Sequence, residues 1–211
     1  MQDFAQEFEK IYKNPEEAPW TFKEPHPELV DLVNKQKIPA GCKVLEIACG
    51  EGYHSIFLAS SGFKVTALDR SPLAIRYAKQ HAKEANVEVE FLVKDYRDLY
   101  KFSGTFDFIF DWRFLHEITD EKERREYVQN IARLLDKEGK YLSVAFSGEF
   151  DYWGTGKFRT SPTGIILYFA TIDDMLRICS PNFNVVEKKI IRVPQKPDLQ
   201  IPAYYVLLKK K

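Results

Sequence analysis

From Gly41 onward, short apolar runs alternate with helical segments, and acids recur at the ends of the runs. Lys43 to Ala48 is one such run, closed by Gly50 and Gly52, and Tyr53 to Ser60 reads as a helix. Lys64 to Leu68 is a second strand, ending at Asp69. Ser71 followed by Pro72 predicts a helix start, because a hydroxyl caps the first turn and the missing N–H of proline is harmless there. That helix is expected to run to about Ala85. Val87 to Val93 is a third strand ending at Asp95, and Phe106 to Phe110 a fourth ending at Asp111. Thr119 to Leu135 is a charged amphipathic helix, and Lys140 to Phe146 a fifth strand. Strands separated by helices form a parallel sheet covered on both faces. Two late strands, Phe183 to Ile191 and Ala203 to Leu208, have no helix between them and are expected to pair antiparallel at an edge. The predicted class is α/β: a doubly wound, mostly parallel seven-stranded sheet (Rossmann-like), with an antiparallel edge strand and an N-terminal cap.

The cap is residues 1–40, where Pro15, Pro19, Pro25, Pro27 and Pro39 forbid a long helix. Phe4, Phe8 and Ile11 share one face of a short helix spanning Phe4 to Tyr12, and a second helix fits Pro27 to Lys35. Residues 41–211 form the main domain, the whole being one structural domain. Ser147 to Gly164, with four glycines and four aromatics, reads as a long loop. Thr171 to Ile178 is a helix with a Thr-x-x-Asp start. A loop containing Pro194, Pro197 and Pro202 separates the two late strands.

Composition excludes several classes. Lys+Arg is 31 and Asp+Glu is 31, so the net charge is zero. Nonspecific nucleic-acid binding needs a surplus of positive charge, so a nucleic-acid partner is not expected. The cysteines Cys42, Cys49 and Cys179 are odd in number and form no C-x-x-C pair, which argues against a disulfide framework or a zinc site and for a reducing, cytoplasmic setting. The acidic, aromatic start does not resemble a signal peptide, and no apolar run reaches the length of a membrane span. No metal is expected, and the composition leaves monomer and dimer equally open.

In sheets of this kind ligands bind beyond the carboxyl ends of the strands, where Glu46, Asp69, Asp95 and Asp111 fall. Val44 to His54 supplies strand, glycine turn and helix. A dinucleotide fingerprint needs a third glycine where Ser55 stands, and Glu46 repels a pyrophosphate at the strand end. Asp69, 19 residues after Gly50, is placed to accept from two ribose hydroxyls. Asp95 is placed for an adenine amino group. The pattern predicts a nucleoside with a cationic or zwitterionic tail. Gly50 and Gly52 alone would read as an ordinary turn; the three acids tip the balance to a ligand site.

At these residues the chain resembles the class I S-adenosylmethionine-dependent methyltransferases. Glu46-Ile47-Ala48-Cys49-Gly50-Glu51-Gly52 is similar to the family's first motif, with Ala48 for its first glycine, and Asp69 and Asp95 match its ribose and adenine acids. The resemblance covers roughly Gly41 to Phe146, including Leu134 to Tyr141 before the fifth strand. It implies S-adenosyl-L-methionine as cofactor, held by Glu46, Ala48, Gly50, Gly52, Asp69 and Arg70, with Asp95, Tyr96 and Trp20. A narrower resemblance joins Ala18-Pro19-Trp20, Pro27 and Leu29, and Phe106 to Ile118, to the thiopurine methyltransferase group with its halide/thiol and tellurite members. Trp112 stands directly after Asp111, where that group often has Arg or an aromatic, and Arg113 follows.

The implied reaction is methyl transfer to a small-molecule acceptor, a soft nucleophile such as a thiol, halide or chalcogen compound. Asp111 and His116 are the acid–base candidates, and Arg113, Trp153 and Arg159 the substrate-binding candidates. Competing readings are a nicotinamide-dependent oxidoreductase, a non-catalytic S-adenosylmethionine-binding protein, and a methyltransferase acting on RNA or protein.

Overall fold

The computed structural model describes residues 5–196 and 198–211. Phe4, assigned above to the first helix face, and Pro197 of the late loop lie outside the described residues. The strands are β1 (Lys43–Ile47), β2 (Lys64–Asp69), β3 (Glu90–Val93), β4 (Phe106–Trp112), β5 (Leu135–Phe146), β6 (Phe158–Thr160), β7 (Ile166–Tyr168), β8 (Phe183–Gln195) and β9 (Leu199–Lys210). The helices are α1 (Ala5–Ile11), α2 (Pro27–Asn34), α3 (Tyr53–Ser60), α4 (Pro72–Glu84), α5 (Glu121–Leu134) and α6 (Ile172–Cys179). Seven strands form one sheet in the order β3-β2-β1-β4-β5-β9-β8. The first five run parallel, and β9 lies antiparallel between β5 and β8. The chain reverses between β1 and β4, and that switch point opens the ligand crevice.

Both faces of the sheet are apolar because both are covered. Alternate residues feed opposite layers. Leu45, Ile47, Ile109 and Tyr141 pack with Val128 and Ile131 of α5 on one side. Val44, Phe108, Phe110 and Leu142 pack with Leu32 of α2 and Leu58 of α3 on the other.

The predicted helix starts form as their chemistry requires. Ser71 Oγ accepts from Ala74 N at 3.0 Å. Thr171 and Asp174 close a full capping box, with both reciprocal bonds in place. His26 adds a cap the sequence reading did not include, its Nδ1 accepting from Glu28 N at 3.2 Å.

Three expectations are corrected. The stretch Ser147 to Gly164 is not all loop: β6 lies within it and pairs with β7, Arg159 opposite Leu167. The turn between them is built on Ser161, whose hydroxyl accepts from Ile165 N at 3.2 Å. The late strands are longer than predicted, and Pro194 and Pro202 sit inside them, opposite Gln200 and Arg192. Both prolines fall toward the turn end of the β8–β9 hairpin, where a missing donor is tolerated. β5 starts at Leu135, directly on the end of α5, through a polar stretch whose exposure hid it from a hydrophobicity reading. Among the described residues no helix is long and apolar enough to cross a membrane.

Candidate functional site

β1 ends in a turn that alternates into left-handed backbone: φ is +57° at Ala48, +53° at Gly50 and +78° at Gly52. Glycine meets this at little cost, while Ala48 bears strain of a kind that concentrates at ligand sites. Asp69, at the end of β2, holds the turn in place. Its Oδ2 accepts from Gly50 N at 2.8 Å and its Oδ1 from Ser71 N at 2.9 Å. A carboxylate offers about four acceptor positions, so room is left for further donors. Burial pushes the Asp69 carboxyl up to about 6, against the lowering effect of those two N–H groups.

Gly52 is constrained by packing. A β-carbon there would lie 2.7 Å from Phe91 Cζ and 3.0 Å from Ala78 Cβ. Gly52→Ala should lower stability by about 2 kcal/mol or more, from left-handed strain plus overpacking. Phe91→Leu in the same chain should recover part of that loss. Urea unfolding checks both, and an unchanged midpoint for Gly52→Ala would refute the packing role.

Above the turn lies a cavity of about 690 Å³, within the range of small-molecule sites. Its floor is the carboxyl ends of β1, β2 and β4, and its roof is the N-terminal segment. Trp20 lines it and donates from Nε1 to the Tyr12 hydroxyl at 3.2 Å. Thr21 Oγ1 donates to Glu51 Oε1 at 2.5 Å, tying the roof to the glycine turn. Lys196, beyond β8, donates from its backbone N–H to Pro19 O at 3.0 Å. The proline-rich segment is therefore bonded to both ends of the crevice.

Glu46 is buried in the cavity wall. Its Oε2 accepts from the Ser55 hydroxyl, and its Oε1 lies 3.6 Å from His54 Nδ1. Ser55, where a dinucleotide fingerprint requires glycine, thus has a definite partner. Arg70 and Tyr96 line the same cavity, and the Tyr96 hydroxyl donates to Glu123 at 3.2 Å. Asp95 does not line it. Its carboxylate is engaged two-fold by the Arg97 side chain at 2.9 and 2.8 Å, and it also caps the following helical turn.

The other end of the cavity is aromatic. Trp112 lies between His26 and His54, at 4.9 and 5.0 Å between ring centroids. Phe146 is stacked on His116 at 4.2 Å and met edge-on by Trp153 at 5.6 Å. Arg113 lines this end with φ at +64°. Its Nη1 donates to Pro194 O at 2.7 Å, its Nη2 to Gln195 Oε1, and its guanidinium lies 5.1 Å from the Phe146 ring centre. Burial lowers it to about 10, so it is still cationic at neutral pH. Its Nε is the one buried side-chain nitrogen or oxygen without a hydrogen-bond partner among the described residues.

Three further sequence assignments need correction. Asp111 is fully buried and away from the cavity, where it accepts from Tyr127 (2.9 Å), Tyr141 (2.5 Å) and Ser143 (2.9 Å). It ties β4 to β5 and α5 and cannot reach a substrate. Arg159 is likewise turned inward. It donates to the carbonyls of Gly156 (2.8 Å), Phe150 (2.5 Å) and Tyr152 (3.0 Å) and stacks over Phe169. His116 does line the cavity, but its Nδ1 accepts from Phe146 N at 3.2 Å, and burial beside Arg113 holds the ring neutral, so Nε2 carries the proton. It is a hydrogen-bond donor rather than a base.

The sequence reading missed Tyr12, Glu51, Trp112 and Glu117, all of which line the cavity. For Glu117 a signal was available, since it lies in the turn beyond the carboxyl end of the fourth strand.

The donor set fits the S-adenosyl cofactor that the glycine turn implies. Asp69 has spare acceptor capacity at a cavity lined by Glu46, Glu51 and Glu117, which suits a cationic, zwitterionic tail far better than a pyrophosphate. Residues 44–139 match a family model described as a methyltransferase domain. The ubiquinone biosynthesis O-methyltransferase of Xanthomonas oryzae pv. oryzae is 32% identical over 121 residues, covering 56% of this chain and 49% of that protein. The chain thus spans about half the length of the curated relatives it matches. Burkholderia thailandensis 1,6-didemethyltoxoflavin-N1-methyltransferase, solved with S-adenosylhomocysteine, superposes with a TM-score of 0.75 at 19% identity, covering 99% of this chain and 87% of that one. A structure described as the conversion of a disulfide bond into a thioacetal group during echinomycin biosynthesis superposes at 0.81 with 20% identity, covering 99% and 92%. Over residues 44–139 the chain is similar to the methyltransferase domain, and it shares its fold with the solved 1,6-didemethyltoxoflavin-N1-methyltransferase.

Proposed function

We propose that the protein transfers the methyl group of S-adenosyl-L-methionine to a small-molecule acceptor, a soft nucleophile such as a thiol. The carrying observation is one continuous cavity with two chemically distinct ends: carboxylates at the glycine turn, and aromatic rings with Arg113 beyond β4. The donor brings an activated methyl group on a sulfonium. What the chain's residues must supply is alignment and dryness. In this reading Asp69, Glu46, Ala48 and Gly50 hold the donor, with Arg70, Tyr96 and Trp20 around it. Trp112, Phe146 and Trp153 exclude water from the acceptor, and the Nε2–H of His116 orients it. Alignment of this kind can lower a barrier by roughly 7–11 kcal/mol. The roof formed by residues 8–27 and the β6–β7 hairpin leaves a chamber sized for a small molecule, which supports a small acceptor over RNA or protein.

The likeness of the N-terminal segment to the thiopurine, halide/thiol and tellurite group supports a soft nucleophile. A hydroxyl acceptor is the second reading, favoured by the curated relatives, whose names specify O-methylation. S-adenosylhomocysteine at 100 times its dissociation constant should stabilise the protein by about 2.7 kcal/mol, and NAD should not. Labelled methyl donor should then mark a thiol in a panel of thiols, halides, chalcogen oxyanions and phenols. Stabilisation by NAD alone would contradict the proposal, and labelling confined to phenols would favour the second reading.

A further inference from the structure

The carboxyls of the cavity differ in one respect. Glu46 is bonded to Ser55, Asp69 to two backbone N–H groups and Glu51 to Thr21. Glu117 lines the same cavity, and among the described residues its carboxyl has no hydrogen-bond or ion-pair partner. Among the described residues the one buried side-chain nitrogen or oxygen without a partner is Arg113 Nε, so the Glu117 carboxyl is not sealed in protein but opens to the cavity, where a bound ligand can reach it. Its position is also particular. It stands on the short helical turn Leu115–Glu117 after β4, with Asp69 and Arg70 acting on it from the donor end and Arg113 from the acceptor end. His116 of the same turn is neutral, and Lys94 and Tyr96 line the wall beyond β3.

Building on the proposed function, we infer that Glu117 is the proton acceptor of the transfer step, so that the methyl acceptor arrives as a protic nucleophile, a thiol, rather than as a bare anion such as a halide. In the balanced step the acceptor's S–H bond breaks and its proton passes to a Glu117 oxygen. The electron pair left on the acceptor sulfur forms the new S–CH₃ bond, and the donor's own S–CH₃ bond breaks with its pair returning to the donor sulfur. Burial, reinforced by Asp69, pushes the Glu117 carboxyl up to about 8, which favours the protonated form in the free protein. A cationic donor beside it favours the carboxylate, which is the form the step requires.

Calorimetry in two buffers of different ionisation enthalpy tests this without a known acceptor. Near pH 7 the full chain should release up to about one proton on binding S-adenosylmethionine, and measurably less with the uncharged sulfur of S-adenosylhomocysteine. Glu117→Gln should lose that difference while keeping its S-adenosylhomocysteine affinity within about threefold, and Glu117→Asp should retain it. With 2-mercaptoethanol and iodide as probes, Glu117→Gln should slow any thiol methylation about 100-fold and any iodide methylation far less. Equal proton release for the two ligands, or a difference that survives in Glu117→Gln, overturns the inference, as does turnover of iodide with none of the thiol. A chain that binds neither compound overturns the proposed function, and this inference with it.

Discussion

Replacing Asp69 with alanine is expected to weaken S-adenosylhomocysteine binding by 100-fold or more, about 2.7 kcal/mol. Two effects act together. The carboxylate loses the lone pairs that remain for ligand hydroxyls, and the Gly50 and Ser71 N–H groups lose their acceptor. Each freed buried donor costs about 1–3 kcal/mol, so the glycine turn should loosen and the fold should lose stability as well. Asp69→Asn separates the two effects, because its amide oxygen can still accept one backbone bond. It should unfold closer to wild type yet bind the ligand poorly. Titration calorimetry together with urea unfolding gives both quantities, and unchanged affinity in Asp69→Ala would remove this residue from the site.

Asp111→Ala should have the opposite signature: a large loss of stability, about 3–5 kcal/mol, with ligand affinity little changed in the protein that stays folded. Three buried hydroxyls, on Tyr127, Tyr141 and Ser143, would lose their common acceptor. The pH dependence follows from the direction of the shift. Burial raises the Asp111 carboxyl from 3.8 to about 6, against the lowering effect of the three hydroxyls. Between those values the folded protein holds a proton that the unfolded chain has released, so this contribution to stability is complete below pH 3.8 and lost as pH rises through about 6. Asp111→Asn should flatten the stability profile across that window. Urea midpoints at pH 4, 5, 6 and 7 for both proteins check it. A catalytic Asp111 would instead lose turnover with stability intact.

Both residues sit at the carboxyl ends of strands, and from the sequence they look alike. Their difference shows why part of the site was legible and part was not. The alternation of strand and helix, the Ser71-Pro72 start and the acids Glu46 and Asp69 rest on local chemistry and on the general rule for ligand position in parallel sheets, so they could be read directly. Asp111 and Arg159 required knowing which way a side chain faces. In a sheet covered on both sides every strand is apolar throughout, so no alternation distinguishes the cavity from the core. Asp111 faces Tyr141 and Ser143 because of the β4–β5 register, with Asp111 opposite Ser143, and that register is a long-range property. Asp95 was placed at the end of a strand that stops at Val93, and a nearby arginine two residues on takes its carboxylate. Local pattern likewise concealed β6 and β7, three residues each, because so short a hairpin is shorter than the window in which periodicity is read.

The same distinction accounts for Trp112 and Arg113. They follow directly from Asp111 in sequence, yet the left-handed backbone at Arg113 turns the chain out of the sheet and into the cavity wall. The side chain is then held by the carbonyl of Pro194 and the amide of Gln195, at the end of the β8–β9 hairpin. The acceptor end of the cavity is thus assembled from segments about eighty residues apart, which no local motif announces.

A crystal structure of the protein grown with S-adenosylhomocysteine tests the whole reading at once. The ribose should sit on the free edge of the Asp69 carboxylate, the amino-acid tail should lie beside Glu46 and the left-handed turn at Ala48, and the sulfur should face Glu117 and the aromatic end. Density for the compound elsewhere on the surface, or a roof segment collapsed onto Asp69 with the compound absent at saturating concentration, would contradict it.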